Sequence, residues 1–188
     1  IIFALGLDES KQKIQHKFFF EASQKYSENN LSSNKKNIIL IPGASHQSKC
    51  YPAASLANLT TLIDANFLII WGNSKEKVIA EKIKAQAPSV NICEKLSIDS
   101  LISLISQVDL VIGSDTGPTH IAWALNIASI TLYGPTPGYR NSYVTKINRI
   151  IESKSEVNPF KIDKNDNSIR EINVNEISQV SKELLGRL

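Results

Sequence analysis

From residue 37 onward, short runs of β-branched and aliphatic residues alternate with longer segments in which apolar residues recur at helical spacing. Short apolar runs without polar alternation are typical of strands that are buried on both faces of a parallel sheet. Five such strands are predicted, at residues 38–41, 67–71, 90–92, 110–112 and 129–132. The pattern therefore predicts an α/β fold in which crossover helices cover both faces of a parallel sheet.

Capping residues and prolines indicate where the helices begin and end. Pro52 suits the first position of one helix, and Ser97 is predicted to cap another. Ser74 is predicted to cap a helix over residues 75–87, which Pro88 then ends. A final amphipathic helix carries apolar residues three or four positions apart, namely Val174, Ile177, Val180, Leu184 and Leu188.

Less regular segments flank this pattern. Residues 1–26 have apolar residues at roughly helical spacing, and the polar residues 27–36 are predicted to link them to the first strand. A region at 143–151 is predicted to be extended. The predicted division is therefore a helical segment with a linker over 1–36 and one main domain over 37–188, which includes the final helix.

Composition excludes several classes of protein. With 42% hydrophobic and 21% charged residues the chain is typical of a globular domain, and no apolar run reaches the ~20 residues of a membrane helix. A net charge of +3 is too weak to indicate nucleic-acid binding. Cys50 and Cys93 form neither a disulfide framework nor a zinc pattern, so we expect a reducing cytoplasm. The chain begins at Ile1 and contains no methionine, so we expect a piece of a longer protein.

The loop after the fourth predicted strand has the features of an anion site. Thr116 is a good N-cap, Gly117 lets a ligand approach the backbone, and Pro118 suits the first helical turn. The backbone amides of Thr119 and His120 are expected to face an anion such as a phosphate.

Asp115, just before this helix, favours a sugar over a bare phosphate, because a carboxylate repels a bare diphosphate but accepts hydrogen bonds from sugar hydroxyls. The alternative is a well-capped helix start in which Asp115 complements the helix dipole.

Two further loops carry candidate residues. After the first strand, Gly43, Ser45 and Lys49 could offer a phosphate a close backbone, a hydroxyl and a cation, although a plain polar surface loop is the alternative. After the second strand, Glu76 could hold a ribose diol or only complement the dipole at a helix N-terminus.

The sequence contains no Walker A loop, GxGxxG fingerprint, Ser/His/Asp motif or metal-ligand cluster, which argues against a hydrolase, a metalloenzyme and a nicotinamide dehydrogenase.

Three segments together, residues 115–120, 122–125 and 131–136, resemble the donor-site signature of the bacterial lipopolysaccharide heptosyltransferases, glycosyltransferase family 9. Their sequences are Asp-Thr-Gly-Pro-Thr-His, Ala-Trp-Ala-Leu and Thr-Leu-Tyr-Gly-Pro-Thr. Lys49 before Tyr-Pro, and Trp-Gly followed by Glu76, make the chain most similar to the heptosyltransferase I group of that family.

This resemblance implies a two-domain GT-B architecture in which the chain is the Rossmann-like, donor-binding half. Members of the family transfer L-glycero-D-manno-heptose from ADP-heptose to the Kdo of the lipid A inner core, with inversion and without a metal or other cofactor. The implied partners are the ADP-heptose donor and, through the other half, Kdo-lipid A. The implied location is cytoplasmic, peripheral to the inner membrane.

The resemblance also implies roles for individual residues. Ser45 and Lys49 correspond to contacts with the diphosphate, Glu76 to the ribose, Leu96 to the adenine through its backbone, and Asp115 to the heptose hydroxyls. The implied donor-binding set is Ser45, Lys49, Glu76, Leu96, Asp115, Thr116, Gly117, Thr119 and His120, of which Thr116, Gly117 and His120 complete the pyrophosphate end.

Two features depart from the family pattern. Ala44 stands where the heptosyltransferase I group often has a second threonine, so one hydroxyl contact is missing. The family's catalytic base is a carboxylate of the amino-terminal domain, so we expect no catalytic residue in this chain, which binds donor without completing transfer. Heptosyltransferase II, another family 9 transferase and a non-catalytic nucleotide-binding module are the alternatives.

Overall fold

A computed structural model describes residues 30–158 and 162–186. Its strands form one fully parallel sheet in the order β3-β2-β1-β4-β5-β6. The strands are β1 (Asn37–Ile41), β2 (Asn66–Ile69), β3 (Asn91–Ile92), β4 (Leu110–Ser114), β5 (Ser129–Tyr133) and β6 (Asn148–Glu152). After β3 the chain crosses back to place β4 on the other side of β1, so the strand order reverses between β1 and β4, which is the topology that opens a crevice at the carboxyl ends of the central strands.

Helices connect these strands. They are α1 (Ala53–Leu62), α2 (Ser74–Gln86), α3 (Ile98–Ser106), α4 (Gly117–Ala124), α5 (Gly138–Asn141) and α6 (Val174–Leu185), with 3₁₀ turns at Gln47–Lys49 and Ser168–Glu171. Among the described residues, every helix is too short or too polar to cross a bilayer.

The sheet separates two hydrophobic cores, because successive side chains of a strand point to opposite faces. Ile38 and Leu40 of β1 belong to one core, which contains residues of α1, α2 and α6. Ile39 and Ile41 of the same strand belong to the other core, which contains residues of α3 and α4. These contacts confirm the predicted parallel sheet with helices on both faces.

The predicted elements are present with shifted ends. All five predicted strands are found, and β6 lies mostly within the region predicted as extended. Asn73, not Ser74, caps α2, because its side-chain oxygen accepts hydrogen bonds from Lys75 N and Glu76 N. The Ser97 cap is confirmed by its bond from Ser100 N. Predictions for residues 1–29 and Leu188 lie outside the described residues.

Three asparagines join the amino ends of β1, β2 and β3. Asn66 Nδ2 donates to Asn37 Oδ1 at 2.8 Å, and Asn91 Nδ2 donates to Asn66 Oδ1 at 3.2 Å. Asn37 and Asn66 are also register partners in the β1–β2 ladder. These hydrogen bonds satisfy side-chain polar groups at the amino ends of the strands. The loops described below lie at the opposite, carboxyl edge of the sheet.

At that carboxyl edge β1 and β4 approach closely. Gly113 of β4 is the register partner of Ile41, and a Cβ atom on Gly113 would stand 2.7 Å from Ile41 Cβ. Glycine is therefore required at this position for Ile41 to pack against β4.

We predict that Gly113→Ala lowers the free energy of unfolding by about 1–3 kcal/mol, because the added methyl group overpacks a buried contact. The matched control is Gly117→Ala, since a Cβ atom there meets nothing within 4 Å. Urea denaturation of both variants checks the prediction, and an equal stability of the two would contradict it.

Candidate functional site

A cleft of about 640 Å³ opens beyond the carboxyl ends of β1, β2, β3 and β4. Its walls come from the loops after these strands and from the first turns of α3 and α4. The lining residues are Ile41, Gly43, Ala44, Ser45, Ile70, Trp71, Gly72, Glu76, Leu96, Ile98, Leu101, Asp115, Thr116, Gly117, Pro118 and His120. Seven of the nine predicted donor-binding residues are in this set, and Lys49 and Thr119 are not.

The carboxylate of Asp115, which follows β4, is the polar centre of the site. Lys49 Nζ donates to its Oδ2 at 2.9 Å, and His120 Nε2 lies 3.0 Å from its Oδ1. Asn141 Nδ2 donates to Oδ2 at 3.2 Å. The side chains of Lys49 and Asp115 are only 9% and 12% exposed, against 35% for His120.

These partners keep Asp115 charged. Burial by itself raises the pKa of the Asp115 carboxyl, but the hydrogen bonds and charges of His120 and Lys49 outweigh it, so the pKa lies below its ordinary value. The carboxylate is therefore ionised at neutral pH and acts only as an acceptor, so the proton in the contact with His120 belongs to Nε2 of the imidazole.

Lys49 is not among the residues that line the cleft, but its ammonium bonds Asp115, which is. Its backbone carbonyl accepts a hydrogen bond from Ser114 Oγ, which ties the loop after β1 to the end of β4. A buried ammonium requires an opposite charge, and Asp115 supplies it. One of the three N–H donors of Lys49 points to Asp115.

The start of α4 agrees with the prediction at its N-cap and differs at its amides. Thr116 is the N-cap, and Thr119 Oγ1 accepts a bond from Thr116 N at 3.3 Å. Thr119 is fully buried, so its side chain supports the turn instead of facing the cleft. The expectation of a free His120 amide is wrong, because His120 N donates to Thr116 O, the first acceptor of the helix. The amide of Gly117, the first helical residue, has no acceptor one turn earlier.

Glu76 is fixed against the cleft by its neighbours. Its Oε2 accepts from Gly72 N and its Oε1 accepts from Asn73 Nδ2, both at 2.7 Å. A Cβ atom on Gly43 would overlap Glu76 Cγ and Cδ, so Gly43 makes room for this side chain. Sequence reasoning gave Gly43 a role near phosphate and did not foresee its contact with Glu76. On the same side, Ser45 is exposed and its Oγ lies 3.0 Å from His46 Nδ1.

The remaining wall is apolar. Trp71 Nε1 donates to Cys93 O at 2.8 Å, which fixes the indole ring beside the cleft. Leu96, Ile98 and Leu101 line the cleft as well, and Ile98 remains 68% exposed. An apolar wall beside fixed carboxylates suits a ligand with a flat ring at one end and hydroxyl groups at the other.

Sequence reasoning missed the contribution of Asn141. The residue ends α5, the short helix after β5, and the carboxyl end of β5 points to the same edge of the sheet as that of β4. The position of Asn141 after the carboxyl end of a sheet strand is the feature of the sequence that could have indicated a role in the site. Within residues 30–158 and 162–186, no group of three or more His, Cys, Asp and Glu side chains could hold a metal ion.

Comparison with known proteins gives the family. The model of glycosyltransferase family 9 (heptosyltransferase) matches residues 2–168. Lipopolysaccharide heptosyltransferase 1 of Campylobacter coli is 40% identical over 166 residues, which are 83% of this chain and 48% of that protein. The chain thus spans about half the length of this curated relative.

Solved structures share the fold. The E. coli heptosyltransferase WaaC with ADP has a TM-score of 0.70 and 19% identity, over 86% of this chain and 48% of that one. The same enzyme with ADP-2-deoxy-2-fluoro heptose has a TM-score of 0.67 and 19% identity, over 89% and 47%. Because the family model covers most of the sequence, the chain belongs to glycosyltransferase family 9, the heptosyltransferase family.

Proposed function

We propose that this chain binds ADP-heptose as the donor half of an inverting heptosyltransferase, which transfers L-glycero-D-manno-heptose to the Kdo of the lipid A inner core. The observation that carries the proposal is the ionised Asp115 on the wall of a cleft whose other side is apolar. A nucleotide sugar has the matching parts, since its base is flat and its sugar carries hydroxyl donors.

The charges around Asp115 make this ligand acceptable despite its diphosphate. Lys49 offsets the negative charge of Asp115 at 2.9 Å, so the diphosphate does not meet an uncompensated carboxylate. The N-terminus of α4, with the Gly117 amide at its first position, adds a favourable dipole on the wall of the cleft. We assign the diphosphate to this side, with Ser45, Lys49, Thr116, Gly117 and His120 around it.

The identity of the donor is supported by family membership. Two structures of E. coli WaaC, which share this fold, are of the enzyme with ADP and with ADP-2-deoxy-2-fluoro heptose. We propose that the adenine lies beside Leu96, the ribose at Glu76 and the heptose hydroxyls at Asp115, with no metal ion required.

Transfer itself is proposed to need more than this chain, which corresponds to 48% of its Campylobacter coli relative. In the proposed reaction the acceptor hydroxyl requires a base, and we assign that carboxylate to the other half of the enzyme. Because the proposed acceptor is a lipid, we also propose a cytoplasmic location, peripheral to the inner membrane.

The first test is calorimetric titration of the 188-residue chain with ADP, with UDP and GDP as controls. We expect binding that is selective for ADP. Equal binding of the three nucleotides would contradict the proposed donor, and binding of none of them would contradict donor binding by this chain.

Lys49→Ala is expected to weaken ADP binding by about 1–3 kcal/mol, the range for a hydrogen bond to a charged group. Lys35→Ala is the matched control, because Lys35 forms an exposed ion pair with Asp64 outside the cleft. Calorimetry measures both, and an unchanged affinity of Lys49→Ala would rule out its proposed role.

The double variant Lys49→Ala/Asp115→Asn separates two ways in which Lys49 could act. If Lys49 only neutralises Asp115, removing both charges restores ADP affinity. We expect no restoration, because the proposal gives Lys49 a direct contact with the diphosphate through its remaining N–H donors.

Glu76 is tested by comparing ADP with 2′-deoxy-ADP. We expect the chain to prefer ADP, and Glu76→Gln to reduce that preference about fivefold, since a neutral acceptor holds a ribose hydroxyl less strongly. Glu81→Gln is the control, because Glu81 is exposed on the same helix. An unchanged preference in Glu76→Gln would remove Glu76 from the ribose site.

A further inference from the structure

Asp115 receives its hydrogen bonds from three separate parts of the chain. Lys49 follows β1, His120 is in α4, and Asn141 is the last residue of α5, which follows β5. The first two partners were expected near the donor from the family resemblance. Asn141 was not, and its carboxamide reaches Asp115 from a part of the chain 26 residues further on.

The short helix that carries Asn141 is held in place by β6. Gly138 N donates to Glu152 Oε1 at 2.7 Å, and Ser142 N donates to Gly138 O at 3.0 Å. A Cβ atom on Gly138 would stand 2.9 Å from both Glu152 Oε1 and Ile150 Cδ1, so the helix lies directly on β6. Asn141 therefore projects from a fixed backbone, and its side chain is half-buried.

The two oxygens of Asp115 are used unequally. Within the described part of the chain, Oδ2 accepts two bonds, from Lys49 and Asn141, whereas Oδ1 accepts one, from His120. A carboxylate oxygen has two lone pairs, so Oδ2 is saturated and Oδ1 has one acceptor site left. Oδ1 is bonded by His120, which lines the cleft, whereas neither partner of Oδ2 is among the lining residues, so we assign Oδ1 to the side of the carboxylate that faces the cleft.

We infer that Asn141 is a positioning residue that, together with Lys49, fixes the rotation of the Asp115 carboxylate so that Oδ1 faces the sugar of the donor. The ammonium of a lysine is a point charge on a flexible side chain, so either oxygen of a carboxylate can accept its hydrogen bond. A second donor on the same oxygen, at the end of a short, anchored side chain, removes that freedom. The inference rests on the proposed function, because it assigns Oδ1 to a sugar hydroxyl.

The test compares ADP-heptose with ADP in Asn141→Ala. We expect about a fivefold to tenfold loss of affinity for ADP-heptose and no change for ADP, because the nucleotide does not use Asp115 Oδ1. Calorimetry of the 188-residue chain measures both ligands, and urea denaturation of each variant verifies that it is folded. Arg140→Ala is the matched control, since Arg140 is exposed and adjacent on the same helix.

Asn141→Asp separates hydrogen-bond donation from space filling. Aspartate has the shape of asparagine but cannot donate when ionised, and it repels Asp115, so we expect a loss at least as large as in Asn141→Ala. Wild-type affinity of Asn141→Asp for ADP-heptose, or equal losses for ADP and ADP-heptose in Asn141→Ala, would overturn the inference and leave the proposed function standing. If the unaltered chain binds neither ligand, the proposed function and the inference both fail.

Discussion

The arrangement of the site depends on one buried charge, the carboxylate of Asp115. An ionised group with a 12% exposed side chain has little water to solvate it, so the protein must supply its partners. They come from loops after β1 and β5 and from α4, and each loop is in turn bonded to a strand end. The requirement to compensate one carboxylate thus brings together segments that are far apart in the chain.

The fold could be predicted because its signal is local. Four of the predicted strands are buried on both faces, and three of them are apolar runs; the helices between them follow from spacing and caps. The predicted helix cap was wrong where two adjacent polar residues could both act as the N-cap. Asn73 and Ser74 are adjacent and both can cap a helix, and only the backbone geometry decides which side-chain oxygen reaches the amides of α2.

The site was predicted less completely, because its contacts join residues distant in sequence. The pairing of Lys49 with Asp115 spans 66 positions, and periodicity contains no information about it. Family resemblance supplied the residue types and assigned Lys49 to the diphosphate, but it gave no indication that the ammonium of Lys49 also bonds Asp115. Likewise, the residue type of Gly43 indicates a close approach but not that Glu76 makes it.

In the proposed complex, the charges around the cleft assign the diphosphate and the sugar of the donor to different protein groups. A donor diphosphate needs positive potential, while the sugar beside it needs an acceptor, and the two requirements conflict at a distance of a few ångströms. In the proposed complex the ion pair reduces this conflict, since Lys49 and Asp115 together are neutral but still present a carboxylate oxygen to the cleft. The amide of Gly117 and the dipole of α4 then provide positive potential without a counter-charge that the sugar must avoid. In the proposed reaction, negative charge grows on the leaving nucleotide as the bond between sugar and phosphate breaks, and the donors already in place for the ground state would stabilise it.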